Sequence, residues 1–310
     1  MKDKRVVFMG TPDFAVPVLK KLIENTNVVL VVSQPDKKVG RDRELKMTPI
    51  KEEALKHNIP VFQPIKIRED YDTILDVNPD IIVTCAYGQI IPDILLETPK
   101  YKAINVHASL LPKLRGGAPI HKAIMYGYEK TGMTIMYMAS KMDAGDIIST
   151  CETKIEDNDN LETLHDRLSI MGADLLIETL PSIFEGTNKR IKQDESEVTY
   201  AYNVSREEEK LDFNKTSKEV YNHIRSLYPF PTSYLILDEK IIKITGAYIG
   251  KTTTSEPGVI TNIYKDGFGI STKDNEIIIT SLKPEGKKEM KASDYLNGVK
   301  KEEFIGKRVK

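Results

Sequence analysis

The chain has 310 residues, enough for two separate cores, and its 45 Lys and Arg nearly offset 46 Asp and Glu for a formal net charge of −1. No global basic field marks a polyanionic partner, so any nucleic acid must be met by local patches. Two cysteines, Cys85 and Cys151, lack CxxC spacing, and five histidines are scattered, which excludes a disulfide framework and a zinc knuckle and predicts a reducing cytoplasm with no metal. The apolar run after Arg5, Val6–Met9, is too short for a signal-peptide core, and no run approaches the ~18 apolar residues of a membrane span.

Short β-branched runs alternate with amphipathic segments through the first half. Val6–Met9, Val28–Ser33, Val61–Gln63, Ile81–Cys85 and Ile104–His107 read as strands. Phe14–Glu24 reads as a helix with Val18, Leu19, Leu22 and Ile23 on one face. Pro49–His57 follows, with Thr48 as its cap, and then Tyr71–Val77. This alternation predicts right-handed crossovers and a doubly wound, Rossmann-like, mostly parallel α/β sheet with functional loops at the strand C-termini. One connection, Gln34–Met47, runs to about a dozen residues where 2–6 are usual. It carries Lys37, Lys38, Arg41, Arg43 and Lys46 against Asp36, Asp42 and Glu44, a net basic arm.

Thr134–Met138 and Ile147–Ile155 read as further strands, and Leu161–Glu185 as a long helix with a Leu164, Leu168, Met171, Leu175, Leu176 stripe. The first domain is predicted to span residues 1–188. A polar, aperiodic stretch then reads as a linker over 189–206. Residues 207–310 open with a helix near Ser217–Ser226 and continue as short strands, Ser233–Leu237, Ile241–Tyr248, Val259–Tyr264, Phe268–Ser271 and Ile277–Leu282. These suggest a small OB-like barrel, with a sandwich as the alternative.

The chemistry concentrates at 105–119. Period-2 geometry sends Asn105 and His107 to one side of their strand and Val106 to the other. An amide that donates and an imidazole that donates or relays a proton suit a tetrahedral adduct at a carbonyl, although both groups could merely satisfy backbone at a strand end. Lys141–Ile147 reads as a tight turn bearing Asp143 and Asp146 around Gly145. A carboxylate near His107 would orient it and favour its charged form.

These segments, with Ser109–Pro112 (SLLP), Arg115-Gly116, Gly10–Phe14, Gln34–Asp36 and Ala86–Gly88, closely resemble the folate-dependent formyltransferases; the likeness continues to Leu282–Lys288 and so spans nearly the whole chain. The resemblance implies 10-formyltetrahydrofolate as donor, the α-amino group of methionine on initiator tRNA as acceptor, and no metal. It assigns Asn105 and His107 to the oxyanion and Asp143 to orienting His107 and routing the amine proton. Ser109, Leu110, Leu111 and Pro112, with Tyr87, Gly88, Gln89, Ile90 and Ile91, would contact the folate. The basic arm (Lys37, Lys38, Arg41, Arg43, Lys46) and the second domain (Lys283, Lys287, Lys288, Lys291) would meet the tRNA. A monomeric cytoplasmic enzyme follows from this reading, with a sugar-nucleotide N-formyltransferase using the same donor as the alternative. The sequence Met9–Phe14 lacks GxGxxG, which argues against a dinucleotide site.

Overall fold

A computed structural model describes residues 1–39 and 44–310, so Arg41 and Arg43 lie outside the described residues. The chain divides into two compact units, one of Met1–Pro119, Lys130–Lys154 and His165–Tyr202, the other of Ile120–Glu129, Ile155–Leu164 and Asn203–Lys310. Most of the stretch expected as a linker therefore belongs to the first unit. Its composition is polar, but its backbone is paired: Ile147 and Ile191 exchange hydrogen bonds of 2.8 and 2.9 Å, and the Ala201 N–H donates to Arg115 O at 2.7 Å.

The first unit is built on β1 (Arg5–Gly10), β2 (Asn27–Val32), a hairpin of β3 (Lys37–Val39) and β4 (Glu44–Lys46), β5 (Val61–Phe62), β6 (Ile81–Cys85), β7 (Ala103–His107), β8 (Lys130–Tyr137) and β9 (Ile147–Lys154). The main sheet runs β5-β2-β1-β6-β7-β8-β9, parallel through β7 and antiparallel beyond it. From β1 the chain goes outward to β2 and β5, then returns to add β6 and β7 on the other side. The switch point, where open α/β sheets bind ligands, thus falls between the C-terminal ends of β1 and β6.

Helix α1 (Val16–Asn25) seats Val18, Leu19 and Leu22 in the core, each fully buried, a contribution of about 1.5–3 kcal/mol per side chain. Helix α2 (Pro49–Lys56) starts as expected, with the Thr48 hydroxyl accepting from Lys51 N and Pro49 in the first turn. The short helices α3 (Asp72–Asp76) and α4 (Asp93–Glu97) and most of the long α6 (Leu161–Glu185) complete the first unit, whereas α5 (Pro119–Met125) belongs almost wholly to the second. Leu164, Leu168 and Leu176 of α6 are fully buried. The Gln34–Met47 connection, read as an irregular arm, includes the β3–β4 hairpin.

In the second unit α7 (Ser217–Ser226) begins with a reciprocal Thr216–Glu219 capping box. The strands are β10 (Tyr234–Leu237), β11 (Lys240–Thr252), β12 (Ile260–Ile263), β13 (Phe268–Ser271), β14 (Asn275–Pro284) and β15 (Met290–Lys291), followed by helices α8 (Ala292–Leu296) and α9 (Lys301–Phe304). The antiparallel order is β10-β11-β14-β13-β12, with β15 on β14. The C-terminal tail joins the two edges: Lys310 exchanges two hydrogen bonds with Ile236 of β10, while Lys307 O accepts from Ile260 of β12. Both exposed edges are thereby satisfied, and the sheet closes in the manner of a small barrel. Ile242, Ile244, Ile260, Phe268, Ile277 and Ile279 fill its interior. Among the described residues no helix is long and apolar enough to cross a membrane.

Candidate active site

Asn105 and His107 stand at the C-terminal end of β7, whose neighbours are β6 and β8. The parallel register sets Thr84 of β6 beside Asn105. The buried Thr84 hydroxyl donates to Asn105 Oδ1 at 2.8 Å, with Ile104 O and Met138 Sδ as more distant acceptors at 3.3 Å. A hydroxyl can donate to the amide oxygen but not to its nitrogen. This bond fixes the amide's rotation and commits its NH2 group to the other side.

His107 is 6% exposed. Its Nε2 lies 3.0 Å from Leu114 O, and because a carbonyl only accepts, Nε2 carries a proton in either charge state. The other ring nitrogen, Nδ1, faces Asp143 Oδ2 at 3.8 Å. That gap is too long for a direct hydrogen bond, though within reach of charge–charge attraction when the ring is protonated.

The Asp143 turn is held from several directions. Its Oδ2 accepts from the Gly116 N–H at 2.8 Å. Asp143 itself adopts φ +49°, a left-handed conformation that Asp and Asn tolerate better than other side chains. A Cβ on Gly145 would stand 1.8 Å from Tyr137 O, and one on Gly116 (φ +122°) 2.7 Å from Ala201 O. Glycine at both positions lets the Arg115–Gly117 and Lys141–Ile147 loops close on their supports.

Behind the turn lies a bracket that sequence reading did not identify. Gln193 Nε2 donates to both Asp143 O and Gly145 O at 2.8 Å. Gln193 Oε1 accepts from Arg115 Nε and Nη2 at 3.1 and 2.8 Å. Arg115 is fully buried, and its Nη2 also pairs with Glu195 Oε1 at 2.8 Å. The Arg115 guanidinium, followed by Lys141, pulls the Glu195 carboxyl down to about 2. Gln193 and Glu195 carried no sequence signal because a polar, aperiodic stretch has no period to read. Thr84 did carry one: it is the hydroxyl in the otherwise apolar run IIVTC, buried along its whole length.

The segments expected to meet the folate divide by role. The Ser109 hydroxyl donates to Lys113 O at 2.6 Å, and Ser109 O accepts from Thr134 at 2.6 Å. Leu111 is buried with Met136 and Ile147, its peptide to Pro112 is cis, and Leu110 is half-buried. Tyr87 and Ile91 belong to a buried cluster with Val7, Met9 and Ile82, and burial pushes the Tyr87 hydroxyl up to about 12. Gln89 accepts from Ile67 N at 2.8 Å and donates to Gln34 Oε1 at 3.2 Å. Gly88, at φ +89°, and Ile90, 66% exposed, are left facing outward at the sheet's switch point.

Of the basic residues, Lys37 and Lys46 stand opposite each other across the β3–β4 hairpin, with Lys38 opposite Leu45; all three lysines are exposed. In the second unit Lys283, Lys287, Lys288 and Lys291 are exposed along the end of β14 and the turn into β15.

Residues 4–180 match the family model described as formyl transferase, and residues 203–300 match formyl transferase, C-terminal domain. The chain belongs to the formyl transferase family. It is 54% identical over 303 residues to the methionyl-tRNA formyltransferase of Bacillus mycoides (strain KBAB4), covering 96% of each chain. In fold it resembles HypX from Aquifex aeolicus, with a TM-score of 0.66 and 17% identity over 95% of this chain, which spans about half (49%) of HypX. It also resembles the N-formyltransferase from Helicobacter canadensis solved with folinic acid and dTDP-3-aminofucose, with a TM-score of 0.68 and 21% identity over 89% of this chain and 98% of that one.

Proposed function

We infer that this chain transfers the formyl group of 10-formyltetrahydrofolate to the α-amino group of methionine esterified to initiator tRNA, as a cytosolic monomer. The observation that carries this reading is the 54% identity, along 96% of both chains, to a methionyl-tRNA formyltransferase. The arrangement of Asn105, His107 and Asp143 supports the same chemistry. The amine attacks the formyl carbon, and the carbonyl oxygen becomes an oxyanion. Asn105 Nδ2, aimed by Thr84, and the protonated His107 Nδ1 donate to it. Each such donor in a preorganised site contributes about 10²–10³ in rate. Asp143 takes the proton released by the amine and returns it to N10 of the folate as the C–N10 bond breaks.

The outward-facing Gly88 and Ile90 and the half-buried Leu110 are the groups offered to the donor's ring. Backbone groups there read its polar edge, while the side chains of Tyr87, Gln89 and Ile91 hold the loop. Lys37, Lys38 and Lys46, with Arg41 and Arg43 of the same arm, contact acceptor-stem phosphates, and Lys283, Lys287, Lys288 and Lys291 form a second phosphate-binding patch. The amino-sugar alternative rests on distant likenesses of fold, and fold alone does not select an acceptor.

Acceptor competition tests the reading. Purified protein with labelled 10-formyltetrahydrofolate is offered initiator Met-tRNA, an amino-sugar nucleotide and glycinamide ribonucleotide together. Label is expected in Met-tRNA, and label only in a small-molecule acceptor rejects it.

A further inference from the structure

Two exposed aromatic rings lie on the same strip of chain that supports the catalytic loop, and the chemistry above does not use them. Tyr200 and Tyr202, 39% and 63% exposed, stack in parallel, with ring centroids 5.5 Å apart and 2° between their planes. The strip between them is fixed: Arg115 N donates to Thr199 O at 2.9 Å, Ala201 N to Arg115 O at 2.7 Å, and Ala118 N to Ala201 O at 2.9 Å. Both rings therefore project from one anchored extended segment, on the side opposite Ala201, which is fully buried.

We propose that the Tyr200–Tyr202 pair is a stacking platform for an unpaired nucleobase at the 3′ end of the aminoacyl-tRNA acceptor; this rests on the tRNA reading above. A solvent-facing, parallel pair of phenol rings offers a flat π-face to any base without regard to sequence. The 5.5 Å spacing is too small for a base to enter between the rings, since two stacked layers need about 7 Å. The base therefore sits on the outer face of Tyr202, the more exposed ring.

Distance favours the terminal bases over the helical stem. Tyr200 is the bridge partner of Arg115, about 5 Å away across the pair, and Tyr202 lies about 7 Å further along the strand. Gly116, the next residue after Arg115, holds Asp143 directly. The platform is thus on the order of 10–15 Å from the reacting amine, the reach of one or two nucleotides from the esterified ribose. A rigid support at that range orients the aminoacyl end and limits the freedom lost on binding.

The test compares Tyr202→Ala, Tyr202→Phe and Tyr202→Leu with the wild type in formylation of Met-tRNA, with donor affinity measured separately. A stacked base predicts that Tyr202→Ala lowers kcat/KM for Met-tRNA by roughly 5- to 150-fold, mostly through KM. Donor affinity should be unchanged. Tyr202→Phe should restore most of the loss and Tyr202→Leu should not. A CCA trinucleotide should quench the protein's tyrosine fluorescence, readable because the chain has no Trp, and Tyr202→Ala should weaken that quenching. Wild-type KM in Tyr202→Ala, a loss that Tyr202→Leu restores equally well, or a loss shared by donor binding overturns the proposal. Self-association of the wild type that Tyr202→Ala abolishes would identify a second copy as the occupant and also overturn it. A wild type that formylates no tRNA overturns the function instead, which separates the two failures.

Discussion

Gln193→Ala probes the bracket behind the Asp143 turn, in a stretch that reads as linker. The substitution removes the acceptor of two Arg115 bonds and the donor of two bonds to the Asp143 turn. Arg115 Nη2 keeps Glu195, but Nε loses its partner and Nη1 already has none. With the guanidinium fully buried, a lost bond to a charged group and the cavity left behind cost about 2–4 kcal/mol. For a chain of 310 residues that lowers Tm by about 3–6 °C. Turnover should suffer as well: a loosened turn displaces Asp143, and a shift of about 1 Å at a catalytic group costs on the order of 10²-fold. Gln193→Glu breaks only the turn side of the bracket. Its carboxylate still meets Arg115, but it has no N–H for Asp143 O and Gly145 O and sets an oxygen against them. Both Tm and kcat should fall, although Arg115 keeps its partner. Thermal unfolding and single-turnover formylation, both below the variants' Tm, measure each effect. Wild-type Tm and kcat in Gln193→Ala, or full turnover in Gln193→Glu, would refute the bracket.

Asp143→Asn keeps a residue that tolerates φ +49° but cannot accept a proton, so kcat should fall by about 10²-fold or more with Tm nearly unchanged; near-normal turnover would remove Asp143 from proton transfer. Thr84→Val preserves shape and deletes the hydroxyl that orients Asn105, which should lower kcat/KM by about 2- to 13-fold, the worth of one hydrogen bond, without destabilising the fold. Activity equal to wild type would mean the amide orients itself. Lys37→Gln with Lys46→Gln should raise KM for tRNA and flatten its log–log salt dependence by about 1–2 in slope, an effect absent if the hairpin only solubilises. Glu195 is held at about 2, from 4.5, first by Arg115 and then by Lys141. A carboxyl depressed on folding adds stability above its unfolded value, and that stability is lost as pH falls from about 4.5 towards 2. Glu195→Gln should therefore unfold with a flatter acid limb across that window, and less so in high salt because the group is exposed. Parallel urea midpoints for the two proteins from pH 5 to about 2.5 would contradict the shift.

The α/β framework was legible because period carries it. Apolar runs such as Val6–Met9 and Ile81–Cys85 are the central strands β1 and β6, and the Leu164, Leu168, Leu176 stripe is the buried face of α6. Element ends moved by a few residues where packing overrides propensity. The strand read from Thr134 starts at Lys130, and within that extension a Cβ on Gly132 would lie 2.0 Å from Cys151 O. Antiparallel closure on β9 thus claims residues that local sequence does not mark as strand. The hairpin in the Gln34–Met47 arm was not legible either, since alternating charges there mask a period of two.

By itself the sequence determined the elements, the residue types available for carbonyl chemistry and, through resemblance, the family they belong to. Local signals suffice for these, because helix and strand periods and short ordered motifs are written within a few turns of chain. Only the tertiary structure decided how Asn105 turns its amide, which nitrogen of His107 meets a carbonyl and which faces a carboxylate, and what holds Asp143 in place. Those answers lie in Thr84, Leu114 O, Gly116, Arg115 and Gln193. Four are remote in sequence from at least one group they position, and each acts through a single hydrogen bond or a pair whose partners meet only when the sheet is formed.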